Sequence, residues 1–534
     1  MTPESEVKSD LGPGGLRSVA ADVVCTRGGL AVGLRREDGP HWQGWRASLG
    51  GDGHVKDLSF IVRRGSPLHE IFIAAPNNED VRYAHPSQTV WLGYDDAGVR
   101  GRVATGDPYT MSGAHGRFGF QWMFTPPPFV FPLRAGARWG GVGIGAPPGR
   151  NVYSSVSYSP IDAASFMVVV SYGGASVDEM DGICLLSVEE RFESPYEVIA
   201  SYAEDLRRRG WAPTPQRQPA AWWYDTFVFP WGEQCNIASP MKREARKVTA
   251  DHPVASYETE ANQRRWVQRL VDREVPVGVA CTSDKWQRDR YRLLPDPGRY
   301  EDLTEFVRWH HDAGRHVIAW WGLWLADGAP LEWCITDQEG KAVSVDPGHP
   351  GYREVLAGDI TRLLGKDGYD IDGFFLDFTA AQPEGPGSVS AGGKGGIELL
   401  HDYVGLIYEA SKAAKPDAMV MTHCPHPYFA DVTDVLRLND WAVKVPNVVE
   451  QARYRQQIAS NCSDWLVNTD NWMMYDIGQW REYLEVQPEL GIPASWFTHG
   501  VFGEGSLRYE PFTDDDYRRW KQIWATYRKD HGLG

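Results

Sequence analysis

Residues 219–534 contain eight short apolar segments, each followed by a longer stretch or a loop, and most of the longer stretches have the apolar spacing of a helix. This alternation is typical of parallel strands joined by helical crossovers, and eight units predict a (β/α)8 barrel. Only the connection between the fifth and sixth strands is too short for a full helix. A doubly wound open sheet is the alternative, but it needs a phosphate-binding loop that the sequence lacks. The predicted strands are residues 220–229, 277–283, 316–324, 373–378, 419–424, 435–440, 464–470 and 493–499.

The amino-terminal part has a different pattern. Short alternating runs such as LSFIVRR and ASFMVVVSY are separated by Gly, Pro, Asn and Asp, which favours an antiparallel β-sandwich. We therefore predict an α/β protein in which an antiparallel β-sandwich domain precedes a (β/α)8 TIM barrel. The predicted boundaries are a flexible terminus at 1–28, the sandwich at 29–194, a helical linker at 195–218 and the barrel at 219–534.

Two glycine-rich stretches resemble nucleotide-binding loops but lack the required context. Residues 140–149 carry prolines where a dinucleotide-binding fold needs a helix, and residues 390–396 lack the spacing and the Ser/Thr of a phosphate loop. We interpret both stretches as ordinary loops.

The net charge limits the classes of binding partner, and the cysteine content indicates the redox environment. The formal net charge is -17, with 54 Lys+Arg against 71 Asp+Glu, which disfavours nucleic acid and anionic membrane surfaces as partners. The sequence has neither a signal-peptide pattern at its start nor about 18 uncharged apolar residues in a row. The seven cysteines are scattered without CxxC pairs, as expected of reduced thiols. We expect a cytoplasmic protein with no metal and no cofactor.

The aromatic content points to a ligand class. The chain has 23 Trp, 23 Tyr and 19 Phe, more tryptophan than packing requires, and ring faces are common platforms for sugars. Carbohydrate is therefore the expected partner.

In a (β/α)8 barrel the active site lies at the carboxyl ends of the strands. There the sequence places carboxylates and indoles, a combination that suits a polyhydroxylated ligand. Asp377 ends a very apolar strand, where burying a carboxylate is wasteful unless the group is used; the alternative is a helix N-cap. Its candidate partner is Asp440, and two such carboxylates suit glycoside hydrolysis with retention. The candidate substrate-binding residues are Asp225, Asp284, Lys285, Trp286, Trp321, Trp324, His423, Arg437, Asp470, Trp472 and His499.

His423 and His426 flank Cys424, but their spacing does not fit a closed zinc site. We therefore interpret His423 as a hydroxyl-binding residue.

These motifs together resemble the retaining α-glycosidases of glycoside hydrolase families 27, 31 and 36. The resemblance rests on Asp377 closing strand four, Asp440 closing strand six after an Arg, SDKWQ after strand two, and LPDPGRYEDLTEFVRWHHDAGRHVIAWWGLW leading into strand three. It covers most of residues 219–500, and the preceding sandwich makes family 36 the most similar. The resemblance implies that Asp377 is the nucleophile, that Asp440 is the general acid/base and that Asp284 binds sugar hydroxyls.

The sequence also departs from family 36 α-galactosidases. Lys285 follows Asp284 where that family usually has a second acid, and Phe375 replaces a lysine before the nucleophile. The sequence therefore does not specify which sugar is the glycone. Lys285, Arg288 and Arg290 either favour an anionic sugar or form a solvated basic loop.

Together these observations predict a retaining exo-α-glycosidase. A transglycosidase with the same carboxylates and a non-catalytic sugar-binding barrel are the alternatives. The sequence leaves open whether the chain is a monomer or a homo-oligomer.

Overall fold

The computed structural model describes most of the chain, including nearly all of the barrel. The ranges described are 18–25, 31–50, 55–63, 66–75, 83–84, 89–95, 98–104, 109–112, 125–160, 165–172, 182–215, 217–242, 253–383, 390–438, 447–472, 476–503 and 508–534.

The amino-terminal domain contains two antiparallel sheets, as predicted. Side chains such as Phe60, Val168, Phe131 and Ile144 from the two sheets share one buried core. One sheet has the strand order Ser18–Cys25, Val55–Arg63, Ser165–Ser171, Ser155–Pro160 and Tyr109–Ser112. The other has the order Ala31–Arg36, Gln43–Gly50, Cys184–Phe192, Trp139–Gly145, Val130–Arg134, Glu70–Phe72 and Tyr83–Ala84. A separate hairpin pairs Thr89–Asp95 with Gly98–Ala104.

Two predictions for this domain need correction. Ser18–Cys25 forms a strand along Val55–Arg63, so the sandwich begins within the segment predicted to be flexible. The glycine-rich stretch from residue 140 is not a loop, because Trp139–Gly145 is a strand buried along its whole length.

The glycines of that strand have a packing role. Gly141, Gly143 and Gly145 face the helix Pro195–Arg208, and a Cβ at these three positions would lie 2.6, 2.9 and 2.8 Å from atoms of Val198, Tyr202 and Leu206. Because residues i, i+2 and i+4 of a strand share one face, alternating glycines let the helix approach the backbone closely.

The linker predicted at 195–218 is helical over Pro195–Arg208, which we call α1. Ser194 caps it, since its side chain accepts a hydrogen bond from the backbone N–H of Glu197. Val198, Ile199 and Tyr202 are buried on one face of α1, between the seven-stranded sheet and the barrel helix Val448–Cys462. The linker is therefore part of the interface between the domains.

The second domain is the predicted (β/α)8 barrel, with strands that we number β1 to β8. All are parallel where they pair, and their spatial order follows the chain. The strands are Phe227–Val228, Val279–Cys281, His316–Gly322, Gly373–Asp377, Met419–Thr422, Val435–Arg437, Leu466–Asn468 and Ala494–Ser495. Residues Ala221–Tyr224, predicted as the start of β1, form a 3-10 helix instead.

The ring closes between β7 and β8. β8 pairs with β1, and Ile492, just before β8, donates to the carbonyl of Val467 over 2.7 Å and accepts from the N–H of Thr469 over 3.0 Å.

Helices surround the barrel. Those described after α1 are α2 to α9, at Trp231–Lys242, Glu260–Asp272, Leu303–His311, Pro350–Leu364, Gly396–Ala414, Val448–Cys462, Ile477–Leu490 and Asp514–Asp530. Between β5 and β6 there is only the 3-10 turn Pro427–Phe429, in agreement with the short connection. Of the helices in these ranges, none is long and apolar enough to cross a membrane.

The sandwich contacts the carboxyl edge of the barrel. The N–H of Thr125 donates to the carbonyl of His423 over 3.1 Å, and the carbonyl of Thr125 accepts from the hydroxyl of Thr379 over 2.9 Å. Thr379 and His423 follow β4 and β5, so the amino-terminal domain supports the loops at this end of the barrel.

Candidate active site

Asp377 is the last residue of β4 and lies at the carboxyl end of the barrel. Its side chain is 14% exposed, so it is largely sheltered but still reachable. The indole N–H of Trp320 donates to Oδ2 over 3.1 Å, and the backbone N–H of Phe378 donates to Oδ1 over 2.9 Å. These two donors fix the orientation of the carboxylate.

Arg437 ends β6 and is shared between two carboxylates. Its Nε forms a short hydrogen bond to Oδ2 of Asp470, and its Nη1 lies 3.7 Å from Oδ1 of Asp377. The side chains of Arg437 and Asp470 are 1% and 0% exposed. A buried guanidinium therefore sets the local charge beside Asp377.

Aromatic rings enclose the guanidinium. Its carbon lies 4.7 Å from the ring centre of Phe375 and 5.0 Å from that of Trp496, within the range of cation–π contacts. Phe229 lies against the same two rings. The guanidinium thus lies between two carboxylates and a cluster of aromatic rings.

Asp284 follows β2 and lies on the other side of Asp377. The guanidinium of Arg290 donates to its Oδ2 over 2.7 Å. Burial raises the pKa of Asp284; the positive charges of Arg290 and Lys285 act against this, and the negative charge of Asp377 adds to it. Lys285 is half-buried beside this carboxylate, while Arg288 is exposed and pairs with Asp289.

Among the described residues, six that are not glycine have a left-handed backbone, and four of them follow barrel strands. Lys285, Trp324, Phe378 and Asp470 have φ values of 69°, 72°, 59° and 48°, although none is glycine. They follow or end β2, β3, β4 and β7. Left-handed conformations cost free energy for such residues and tend to persist where a functional geometry requires them.

The predicted general acid/base, Asp440, lies outside the described residues. Its assignment stays a prediction.

Three of the predicted aromatic platforms are packing residues. Trp286, Trp321 and Trp324 are buried. The indole N–H of Trp286 donates to the carbonyl of Trp320, and Trp321 and Trp324 both pack edge-on against Tyr403 of α6. Trp321 is turned away from the barrel interior because it adjoins Trp320, and successive residues of a strand face opposite sides.

Three more of the predicted substrate-binding residues lie near the carboxyl end of the barrel. Trp472 is half-buried and packs against Trp496 and Phe497. His499 is exposed, and its backbone N–H donates to Glu233 over 2.7 Å. His423 is buried behind Thr125.

Asp225 does not join this group. It precedes β1, so it lies at the amino end of the barrel, where its carboxylate pairs with Arg528 of α9 over 2.9 Å. The sequence placed it wrongly because β1 was predicted to begin before it rather than after it.

The candidate substrate-binding residues predicted from the sequence did not include Trp320, Arg290, Trp496 or Glu258, although Arg290 was considered as part of a basic loop. No sequence signal separates Trp320 from Trp321, because both are apolar; the register of β3 and β4, which pairs Trp320 with Phe375 and Gly322 with Asp377, identifies it. Glu258 and Arg290 lie in loops whose course the sequence pattern does not specify.

Within the described parts of the chain, no group of three or more His, Cys, Asp or Glu side chains is arranged to hold a metal ion.

No protein-family model matches the sequence. No curated protein matches it either.

Solved structures do match the fold. An α-galactosidase from Thermus thermophilus, in complex with p-nitrophenyl α-D-galactopyranoside, is 14% identical with a TM-score of 0.56, and the match covers 92% of this chain and 94% of that one. A cycloalternan-degrading enzyme from Trueperella pyogenes is 13% identical with a TM-score of 0.56, over 94% and 73%. A cycloalternan-forming enzyme from Listeria monocytogenes is 10% identical with a TM-score of 0.55, over 93% and 49%. At these identities the matches establish a shared fold, a β-sandwich followed by a (β/α)8 barrel.

Proposed function

We propose that this protein is a retaining α-glycoside hydrolase that acts through a covalent glycosyl-enzyme. The observation that carries the proposal is Asp377 itself, a sheltered carboxylate at the carboxyl end of β4, held by Trp320 and beside the buried guanidinium of Arg437. The fold shared with an α-galactosidase and a cycloalternan-degrading enzyme supports it.

In the proposed first step, a carboxylate oxygen of Asp377 forms a bond to the anomeric carbon while the bond from that carbon to the leaving oxygen breaks. Asp440 gives its proton to the leaving oxygen. In the second step water attacks the same carbon, its proton passes to Asp440, and the bond to Asp377 breaks. Two inversions at one carbon retain the α configuration.

Asp284 is the proposed hydroxyl-binding residue. Arg290 occupies its Oδ2, while its buried Oδ1 has no hydrogen-bond partner within the described residues. A sugar hydroxyl that donates to Oδ1 would satisfy this acceptor. Because only one acid lies at this turn and Lys285 replaces the second, we leave galactose as one candidate glycone among several.

A transglycosidase is the second candidate. It uses the same carboxylates but transfers the glycosyl group to a sugar rather than to water. The structural match to a cycloalternan-forming enzyme supports it. Product analysis with an added acceptor sugar distinguishes the two.

The test is a screen of purified protein on 4-nitrophenyl α-glycosides of galactose, glucose, N-acetylgalactosamine, xylose and sulfoquinovose. We expect Asp377→Ala to lower the rate on the active glycoside by about 10⁴-fold or more. Asp312→Ala, which removes an exposed carboxylate at the end of α4, is the matched control and should keep the wild-type rate.

The stereochemistry gives a second readout. With added azide, Asp377→Ala should form the β-glycosyl azide, because azide takes the place of the missing nucleophile. An unchanged rate in Asp377→Ala, or an inverted product from the wild type, would contradict the proposal. Sugar binding without turnover of any glycoside would favour the non-catalytic barrel.

A further inference from the structure

Glu258 is a buried carboxylate that the proposed mechanism does not use. It lies between the 3-10 turn Pro253–Tyr257 and α3, and it is 0% exposed. Its Oε1 accepts from the hydroxyl of Tyr300 over 2.6 Å and from the backbone N–H of Ser283 over 3.0 Å.

The second carboxylate oxygen of Glu258, Oε2, also accepts two hydrogen bonds. Oε2 accepts from the side-chain amides of Gln234 over 2.6 Å and Gln263 over 2.8 Å. The four donors come from α2, α3, the turn after β2 and the segment before α4. Only an ionised carboxylate can accept from all four, because a protonated oxygen would direct its own hydrogen towards a donor.

The contact with Ser283 links Glu258 to the candidate site. Ser283 directly precedes Asp284, and Lys285 follows in a left-handed conformation. A non-glycine residue in a left-handed conformation needs contacts that stabilise its turn. Here the carboxylate of Glu258 accepts a hydrogen bond from the backbone N–H of Ser283. The orientation of the Asp284 carboxylate therefore depends on the ionised carboxylate of Glu258, which is buried and does not contact the substrate.

We propose that Glu258 is a positioning residue, whose ionised carboxylate holds the Ser283–Asp284–Lys285 turn in its sugar-binding conformation and whose protonation releases that turn and weakens sugar binding. This inference rests on the proposed role of Asp284. Glu258 is not a catalytic residue, because it is fully buried and all four hydrogen bonds it accepts come from the protein.

The pKa of Glu258 lies near neutral pH, so its protonation state changes within the range in which enzymes are assayed. Burial raises its pKa to about 7, against the lowering effect of the hydrogen bonds from Tyr300, Ser283, Gln263 and Gln234.

One charged side chain among the described residues also contacts Glu258: the guanidinium of Arg299 donates to its backbone carbonyl over 3.1 Å and pairs with Asp296. Gln234 of α2 and Gln263 of α3 do not titrate. The titratable groups that face it are Tyr300 before α4 and Cys281 of β2. Burial raises the pKa of both well above their ordinary values, so they stay neutral. Asp284 directly follows Ser283, whose backbone N–H donates to Glu258.

The inference predicts opposite pH trends for binding and stability. Sugar affinity should fall as pH drops below about 7, because the turn is released. The stability contribution of a carboxyl with a raised pKa is present below its unfolded value of about 4.3 and is lost as pH rises through about 7. A general loss of structure in acid would instead lower both together.

The decisive variant is Tyr300→Phe, which removes one donor and so raises the pKa of Glu258 further. We expect the acid limb of 1/KM to move to higher pH, with kcat and KM at pH 9 within about twofold of wild type. Tyr352→Phe is the matched control, because it removes a buried hydroxyl that bonds to Tyr403 over 2.9 Å. It should leave the limb in place.

Glu258→Gln provides a second test. The amide group turns one oxygen into a donor that faces two other donors, so we expect KM to rise about tenfold with a smaller change in kcat and with the acid limb absent. If Glu258→Gln lowered kcat and 1/KM by the same factor, or if Tyr300→Phe did not move the acid limb, the inference would be overturned.

Infrared difference spectroscopy separates this inference from the proposed function. A protonated-carboxyl band should titrate at about pH 7 in wild type, move to higher pH in Tyr300→Phe and be absent from Glu258→Gln. If no glycoside is turned over, sugar affinity by calorimetry replaces KM in the same pH comparison. Absence of the band overturns the role of Glu258 alone; absence of sugar binding at every pH overturns both proposals.

Discussion

At the scale of single residues, the electrostatics beside Asp377 depend on one arginine with two acidic neighbours. Asp470 was predicted to bind substrate, but it is fully buried and its Oδ2 bonds to Arg437. Its Oδ1 accepts from the backbone N–H of Trp472 over 2.7 Å. We infer that Asp470 holds Arg437 and keeps the guanidinium from closing onto the nucleophile.

Asp470→Asn should therefore reduce both stability and activity. Removing one member of a buried ion pair leaves an uncompensated charge and costs about 3–5 kcal/mol. We expect the free energy of unfolding, measured in urea, to fall by roughly that amount, and kcat to fall as Arg437 moves towards Asp377.

The double variant Arg437→Met with Asp470→Asn tests the cause. It removes the positive charge as well, so much of the lost stability should return while activity stays low. If the double variant is as unstable as the single one, packing rather than charge explains the loss.

At the scale of secondary structure elements, the sequence predicted the barrel well and its side-chain directions poorly. Each of the eight apolar segments contains a strand, because a strand buried on both faces needs a continuous apolar run. The same continuity hides the alternation that tells inside from outside. Trp320 and Trp321 are adjacent and equally apolar, yet only Trp320 reaches Asp377.

The prediction failed in a different way for Trp139–Gly145. A glycine-rich stretch resembles a loop when only local conformational preferences are considered. The close approach of α1 is a tertiary contact, and it is what makes glycine the suitable residue there.

One element-level prediction concerns the amino end of the barrel. His311 at the end of α4 shares a hydrogen bond of 2.8 Å with Asp372 before β4, and Lys415 after α6 lies 2.9 Å from the same carboxylate. The bond to Asp372 raises the pKa of His311 despite burial. Burial alone would raise the pKa of Asp372, but the bond to His311 and the charge of Lys415 hold it below its usual value.

The signs define a pH window. The contribution of His311 is fully present below its unfolded pKa of about 6.5 and is lost as pH rises through the raised value, while that of Asp372 is present above about 3.9 and is lost as pH falls through its lowered value. The stability difference between wild type and His311→Gln should therefore shrink by about 1 kcal/mol between pH 6 and pH 9. His69→Gln, at an exposed histidine of the sandwich, is the control. A difference that does not vary with pH would contradict the assignment.

At the scale of the whole molecule, the two domains share buried contacts and act as one unit. The hydroxyl of Tyr454 in α7 donates to the carbonyl of Ile73 in the sandwich. Glu398 at the start of α6 accepts from Tyr428 over 2.9 Å and from the backbone N–H groups of Gly149 and Asn151 over 3.1 and 3.3 Å. The sandwich is therefore needed to keep the loops after β4 and β5 in place.

This coupling predicts one unfolding transition for both domains in calorimetry, and a shared loss of stability when the contact is cut. Glu398→Ala leaves one hydroxyl and two backbone N–H groups without their acceptor and should lower the free energy of unfolding by about 3 kcal/mol. Glu409→Ala removes an exposed carboxylate from the same helix and should change it by less than about 0.5 kcal/mol. Because Glu398 has no role in the proposed mechanism, reduced glycosidase activity in Glu398→Ala at temperatures below its transition would mean that the sandwich also sets the geometry of the site. Two separate transitions in the wild type would show instead that the domains are stable independently.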